Sequence, residues 1–271
     1  MIAFPPPAIV QPAPVPAIDL TGTPGQGAVL TGRAPAGTTA LTLDGTPVRL
    51  APDRAFVIAF DRDAGPAATL TATLADGRRI TRTLAIATRT WRIERLPTLP
   101  RVSQPSAEFQ RRRAPELAQI AAARTRSSDS GGWRQRFIWP ATGRISGLFG
   151  SQRIYAGEPG AYHSGVDVAR PTGTPVVAPA DGVVILAAPA PFTLEGNLLM
   201  IDHGMGLNSA FLHLSRIDVK PGDRVRQGQP VGAIGATGRA TGPHLHWGMK
   251  WNDARIDPLL LAGPMPEPER R

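Results

Sequence analysis

The sequence predicts a mainly β protein in two parts: a small β-sandwich (Ig-like), then, beyond a linker, a second β-rich region. Three observations carry this expectation. Gly and Pro each occur 29 times in 271 residues, a usage that favours short strands and turns over helices. Apolar and polar residues alternate over short runs, as they do in half-buried strands. Turn residues separate these runs at close intervals, and Asp44-Gly45 and Asp76-Gly77 match type I′ hairpin turns. The length suits one large or two modest domains, and 42% hydrophobic residues can build a sizeable core.

Residues 1–16 hold repeated prolines among Ala, Val and Ile, a composition that prefers extended or polyproline conformation, and they read as an arm. Residues 17–92 contain the alternating runs 28–31, 40–43, 48–50, 56–60, 69–74 and 80–86, the strand supply of a small sandwich. No His and no carboxylate cluster marks a site there, so this part reads as a spacer or docking module. Residues 93–137 read as a Pro- and Arg-rich, partly helical linker. Within it 106–113 and 116–126 are helix candidates, with Pro115 suited to the first turn of the second, and Arg111-Arg112-Arg113 reads as a solvated face. A sharper reading lays this linker across a functional groove, or sets its arginines against anionic polymers. From 138 to 261 strand signals return, at 175–178, 182–186, 197–202 and 207–214, the last two as a hairpin around Gly204-Met205-Gly206. Residues 262–271 are a tail.

The residues that carry chemistry lie in that last β region. Tyr162-His163-Ser164-Gly165-Val166-Asp167 and Gly242-Pro243-His244-Leu245-His246-Trp247 have alternating flanks. In strands, His163 shares a face with Asp167, and His244 with His246. Two imidazoles and one carboxylate can bind Zn²⁺ and leave its fourth position open, the pattern of a catalytic rather than a structural zinc site. A fourth of the five histidines, His213, sits in the alternating run 210–214. A His-x-x-x-Asp motif, a lone His in a short apolar strand and a His-x-His motif, in that order and with glycine turns between, resembles the zinc metallopeptidases of the lysostaphin and LytM type. The resemblance spans residues 138–261.

That resemblance implies a small, glycine-cornered antiparallel β catalytic domain with its site in an open groove. It implies one Zn²⁺ held by His163, Asp167 and His246, with His213 and His244 serving the attacking water and the transition state. It further implies peptidoglycan as substrate and partner. Tyr155, eight residues before His163, is a candidate oxyanion donor by the same likeness. Zinc would polarise the scissile carbonyl and lower the pKa of bound water toward about 7. An imidazole titrating near neutrality can take the water's proton and deliver one to the leaving amine. Which of His213 and His244 is the base stays open. His203 reads as a turn residue, with hydrogen-bonding support of the groove as the alternative, and Trp247 and Trp251, alternating opposite His246, read as core.

A formal net charge of +9 points to an anionic partner such as the bacterial envelope surface. All but Lys220 and Lys250 of the 30 basic residues are Arg, so genome composition accounts for the bias equally well. No aromatic-basic interleaving supports a nucleic-acid partner. The chain has no Cys, which excludes disulfides and thiolate metal sites. No apolar run reaches the roughly 18 residues of a membrane span, and the start lacks a signal-peptide pattern. The resemblance implies a periplasmic or extracellular protein, so the expectation is that a leader was removed and Met1 added for expression. A rival is a non-catalytic relative of the same fold that activates a separate cell-wall amidase; such relatives lack ligands, whereas every motif position is filled here. A lipoyl or biotinyl carrier needs a lysine at a hairpin tip, which neither lysine provides. The scissile bond is open between a stem-peptide cross-link with a D-amino acid, a glycine bridge and the amide to muramic acid.

Overall fold

The structure, a computed structural model, describes residues 16–98 and 106–266. The expected proline-rich arm lies outside these residues except for Pro16, as do linker residues 99–105 and the last five residues of the tail. The architecture is mainly β, as the alternation implies. No helix among the described residues is long and apolar enough to cross a membrane.

Seven strands come first: β1 (Asp19–Thr21), β2 (Val29–Arg33), β3 (Thr38–Leu43), β4 (Thr46–Val48), β5 (Ala55–Ala59), β6 (Ala67–Leu74) and β7 (Arg79–Ala85). They form two antiparallel sheets, ordered β1-β2-β5 and β4-β3-β6-β7. Leu30, Phe56 and Ile58 from the first and Leu41, Leu70 and Leu84 from the second fill one buried cluster. At the β3–β4 turn Asp44 and Gly45 both take positive φ, 48° and 82°, as a type I′ turn requires. The β6–β7 turn departs from that expectation, because there only Gly77 does. Asp76 instead accepts the Arg78 backbone N–H at 3.0 Å and pairs with its guanidinium at 2.6 Å, a local bond that competes with the tighter turn.

β8 (Ile93–Leu96) and α1 (Ala107–Arg124) follow. The two helices expected around Pro115 are one helix running through it, with the Ser106 hydroxyl accepting the Phe109 N–H at 3.1 Å at its start. An interior Pro costs about 3 kcal/mol, and tertiary contacts offset it. Ile120 and Ala123 are buried against Ile185, Leu198, Met200 and Ala210. Arg113, expected on a solvated face, instead ion-pairs with Glu195 and Glu116.

The rest of the chain supplies β9 (Arg144–Gly147), β10 (Gln152–Tyr155), β11 (Glu158–Pro159), β12 (Gly165–Ala169), β13 (Pro175–Val177), β14 (Gly182–Ala187), β15 (Asn197–Asp202), β16 (Leu207–Leu214), β17 (Arg216–Ile217), β18 (Arg224–Val225), β19 (Pro230–Ala233), β20 (His244–Trp251), β21 (Ala254–Ile256) and α2 (Pro258–Ala262). An eight-stranded sheet ordered β18-β14-β15-β16-β20-β12-β9, with β21 beside β20, is the scaffold of the site. One face buries Val166, Val168, Phe211, Leu245 and Trp247. This core is continuous with that of the first seven strands. β8 pairs in parallel with β10, so the start of the expected linker is part of a sheet. Arg62 donates to the Gly150 carbonyl (3.0 Å) and Gln152 (3.1 Å), and Arg89 pairs with Asp257 (2.8 Å), tying the halves together.

His203 opens the turn between β15 and β16, as expected, and its ring is buried in this core. One ring nitrogen donates to the Asp181 carbonyl at 2.8 Å and the other meets the buried Ser209 hydroxyl at 2.7 Å. Burial pushes its pKa down to about 4. The unfolded chain, with an ordinary value near 6.5, therefore binds more protons between those limits, so the stabilisation from neutral His203 is present above pH 6.5 and lost as pH falls toward 4. Denaturant unfolding at steps from pH 7 to 4 is expected to show this decline, and His203→Gln to flatten it.

Candidate metal centre

The register of the central strands sets the site. Asp167 on β12 stands opposite His246 on β20, and Ala169 opposite His244. On the other side of β20, Leu212 of β16 stands opposite His246. Directly opposed residues share a face, so Asp167, His244 and His246 project together while Trp247 turns into the core. His163 is not in the strand, as the alternation implied, but in the segment before it. Its N–H donates to the Ser151 carbonyl and its own carbonyl accepts the Gly150 N–H, both at 2.8 Å. That pairing swings the ring back over Asp167.

His163 Nε2 lies 3.0 Å from Asp167 Oδ1 and 3.0 Å from His246 Nδ1, and the last two atoms are 2.9 Å apart. Among the described residues these three side chains are the one group of His, Asp, Glu or Cys donors close enough to hold a metal ion. The triangle approaches the roughly 3.3 Å that bonds of about 2.0–2.1 Å subtend in a tetrahedron. The donor chemistry fits as well. His163 Nδ1 faces the Leu148 carbonyl at 3.0 Å, which can only accept, so the proton sits there and Nε2 offers a lone pair. Asp167 is pushed toward the neutral form by burial, but the two adjoining imidazoles of His163 and His246 outweigh this and hold its carboxyl well below the usual range. At His246 burial dominates and lowers the pKa, favouring the neutral ring a metal needs.

His213 and His244 stand beside this triangle, their ring centres 4.8 Å apart, with His213 6.3 Å from His246. His213 Nδ1 donates to the Thr237 carbonyl (2.9 Å) and His244 Nδ1 to that of Gly242 (2.8 Å), which leaves both Nε2 atoms as acceptors. Burial, then the neighbouring histidines, lowers the His213 pKa. His213 also carries a left-handed backbone, φ 64°, within a strand. Such strain is typical of functional positions. Here it coincides with a register irregularity between β15 and β16 and with the His213 N–H donating to the Glu195 carbonyl at 2.8 Å.

Residues 161–258, which enclose all these side chains, match the family model described as "Peptidase family M23". A crystal structure assigned to peptidase M23, from Pseudomonas aeruginosa, is 31% identical, covers 90% of this chain and 96% of that one, and superposes with a TM-score of 0.67.

The chain belongs to peptidase family M23.

The peptidoglycan DD-endopeptidase ShyA of Vibrio cholerae is 43% identical to this M23 chain over 114 residues, 42% of the chain and 26% of ShyA. The DD-carboxypeptidase/endopeptidase Mpg of Neisseria meningitidis is 40% identical over 124 residues, 46% of the chain and 28% of Mpg. The aligned part thus spans about a quarter of the length of these relatives.

Tyr155 is not brought to the cluster by any described contact. Its ring lies against Gly160, just after β11, and it interacts with Arg153. The neighbouring Tyr162 is instead tied to the first half of the chain: its hydroxyl donates to Asp61 at 3.0 Å, while Asp61 also accepts the Arg255 N–H at 2.8 Å. No local signal in the sequence pairs residues a hundred positions apart. Gly147, opposite Asp167 on β9, is a glycine for a visible reason: a Cβ there would lie 2.3 Å from Asp167 Oδ2 and 3.0 Å from the His163 ring. Gly147→Ala is expected to displace the carboxylate and weaken metal binding by roughly 10–100-fold, the effect of disturbing a ligand's support. Competition with a chromogenic chelator measures it.

Proposed function

We propose that this M23 chain is a zinc-dependent endopeptidase that hydrolyses peptide bonds in peptidoglycan stem peptides or cross-links, in the periplasm or outside the cell. The observation that carries the reading is the three-donor triangle with two further imidazoles beside it, whose Nε2 atoms make no hydrogen bond among the described residues, His244 Nε2 lying 3.9 Å from Asp167. His163, Asp167 and His246 would hold the zinc, whose bound form supplies a Lewis acid for the carbonyl and acidity for water. Asp167 contributes a single negative charge among neutral rings, so the site retains positive charge for the oxyanion of the tetrahedral state. One of the His213 and His244 Nε2 atoms takes the proton of the attacking water and returns it to the leaving amine, and the other orients and stabilises. The names of ShyA and Mpg favour a bond involving D-amino acids among the three candidates. The segment 17–92 serves as a non-catalytic module that braces the groove through Asp61.

The test is digestion of purified peptidoglycan by the zinc-loaded chain, by the chain stripped with a chelator, and after zinc is restored. New fragments in the first and third samples alone, their masses giving the bond, are the expected result. Undiminished cleavage by the stripped chain would overturn the reading.

A further inference from the structure

Along β20 the residues His246, Gly248 and Lys250 follow one another on the face that carries the three-donor cluster, and Gly248 leaves the floor between its neighbours open. Over this floor lies a cavity of about 210 Å³, lined on one side by α1, with Leu117, Ile120 and Arg124, and on the other by Ser164 and Arg255. It is continuous with the cluster, because His246 lines it too. Its charge is unbalanced. Arg113 is spent on Glu195 and Glu116. Arg124 has no hydrogen bond or ion pair among the described residues. The Arg255 guanidinium meets the Tyr162 hydroxyl at 3.4 Å and lies over the same ring, 5.4 Å from its centre, but has no carboxylate partner among the described residues, and Lys250 has a long 3.7 Å contact with the solvent-exposed Asp253. The acidic groups nearby are committed: Glu195 to Arg113, and Asp61 to Tyr162 and the Arg255 backbone. Burial and then repulsion among these cations lower the pKa values of Arg124 and Lys250, outweighing the more distant carboxylates Asp253, Glu195 and Asp61 that act the other way.

We propose that Arg124, Lys250 and Arg255 form a subsite for a carboxylate on the substrate peptide, so that α1 is a wall of the binding groove and contributes directly to substrate choice. Charge-assisted bonds from guanidinium and ammonium to carboxylate are the strong class of hydrogen bond. Four residues of strand separate His246 from Lys250, about 14 Å at 3.4 Å per residue. With the reach of these side chains, an extended peptide places its carboxylate roughly two to four residues from the scissile carbonyl, at up to 3.6 Å per residue. The subsite rests on the peptidase reading, and the two can fail separately.

The experiment uses the zinc-loaded full chain and pairs of fluorescent peptides that differ in a single group, a side-chain carboxylate or its carboxamide, placed two, three or four residues from the bond to be cut. Binding is read by anisotropy and cleavage by kcat and KM. At one placement the acid is expected to bind roughly tenfold to a hundredfold tighter than the amide, the gain of a hydrogen bond to a charged group. Raising the ionic strength shrinks the difference. Arg124→Gln and Lys250→Gln, which lie outside the cluster, remove it through KM with kcat little changed, because this contact is made equally in ground and transition states. Equal handling of acid and amide at every placement, or variants that keep the preference, overturns the subsite while cleavage of both peptides upholds the peptidase. Acid preference lost in the variants without any cleavage upholds the subsite and overturns the peptidase. Neither binding nor cleavage overturns both.

Discussion

His246→Ala is expected to take the protein from about one equivalent of bound zinc to almost none, and to end peptidoglycan hydrolysis with it. The imidazole removed is the one that closes the triangle, 3.0 Å from His163 Nε2 and 2.9 Å from Asp167 Oδ1. What is left is a two-donor site, short of the three protein ligands that catalytic zinc requires. The loss should exceed the roughly 10–100-fold of disturbing an outer partner. A thermal readout separates this from misfolding. A ligand that binds only the folded state stabilises it by about 4 kcal/mol at a thousandfold excess over Kd, so zinc should raise the Tm of the unaltered chain and leave that of His246→Ala where it was. Asp167→Asn keeps the shape of the side chain and removes its charge, and should fall between the two. A variant that retains stoichiometric zinc would remove His246 from the ligand set.

The second large effect is expected at His213, and here metal and catalysis should part. His213→Asn should keep its zinc while kcat falls by roughly 10²–10⁴, the usual contribution of a positioned acid–base group. Asn is the replacement of choice because position 213 has φ 64°, a region Asn enters more readily than most residues. The backbone turn, and with it the hydrogen bond to Glu195, can then survive the substitution. The matching His244→Asn assigns the roles. The group acting as base, when removed, should abolish the limb of the pH–rate profile that reports its deprotonation, whereas loss of the electrostatic partner should lower kcat across the profile without moving that limb. Equal activity in His213→Asn and the parent would remove His213 from the chemistry.

Much of this architecture can be read from residue order. The alternating runs correspond to β2, β3 and β5 to β7 in one half and to β13 to β16 in the other, because a period of two needs only neighbouring residues to express it. The His-x-His pair also projects as its spacing requires, with Trp247 and Trp251 on the opposite, buried face. What escapes the sequence is long-range. α1 continues through Pro115 because Ile120 and Ala123 are buried against Ile185, Leu198, Met200 and Ala210 and Arg113 pairs with Glu195, partners that lie far along the chain. β8 finds its partner β10 nearly sixty residues later, and its own short run carries no mark of a parallel pairing. His163 reaches the cluster from outside the strand through backbone bonds to the loop at 150–151, and the left-handed turn at His213 is imposed by Glu195 from the neighbouring segment. Asp76 misleads for a local reason, since its carboxylate answers the backbone that a tighter turn would have used.

The opposition of Asp167 to His246 across β12 and β20 makes the cluster a test of how the sheet was assembled. A slip of one residue in that pairing inverts β20, sending His244 and His246 into the core and Trp247 to solvent. The donor atoms would then never meet. A molecule with mispaired strands has no partial site to offer, so the capacity of a preparation to take up metal counts its correctly assembled members, and refolding yield can be titrated with zinc without any substrate at hand.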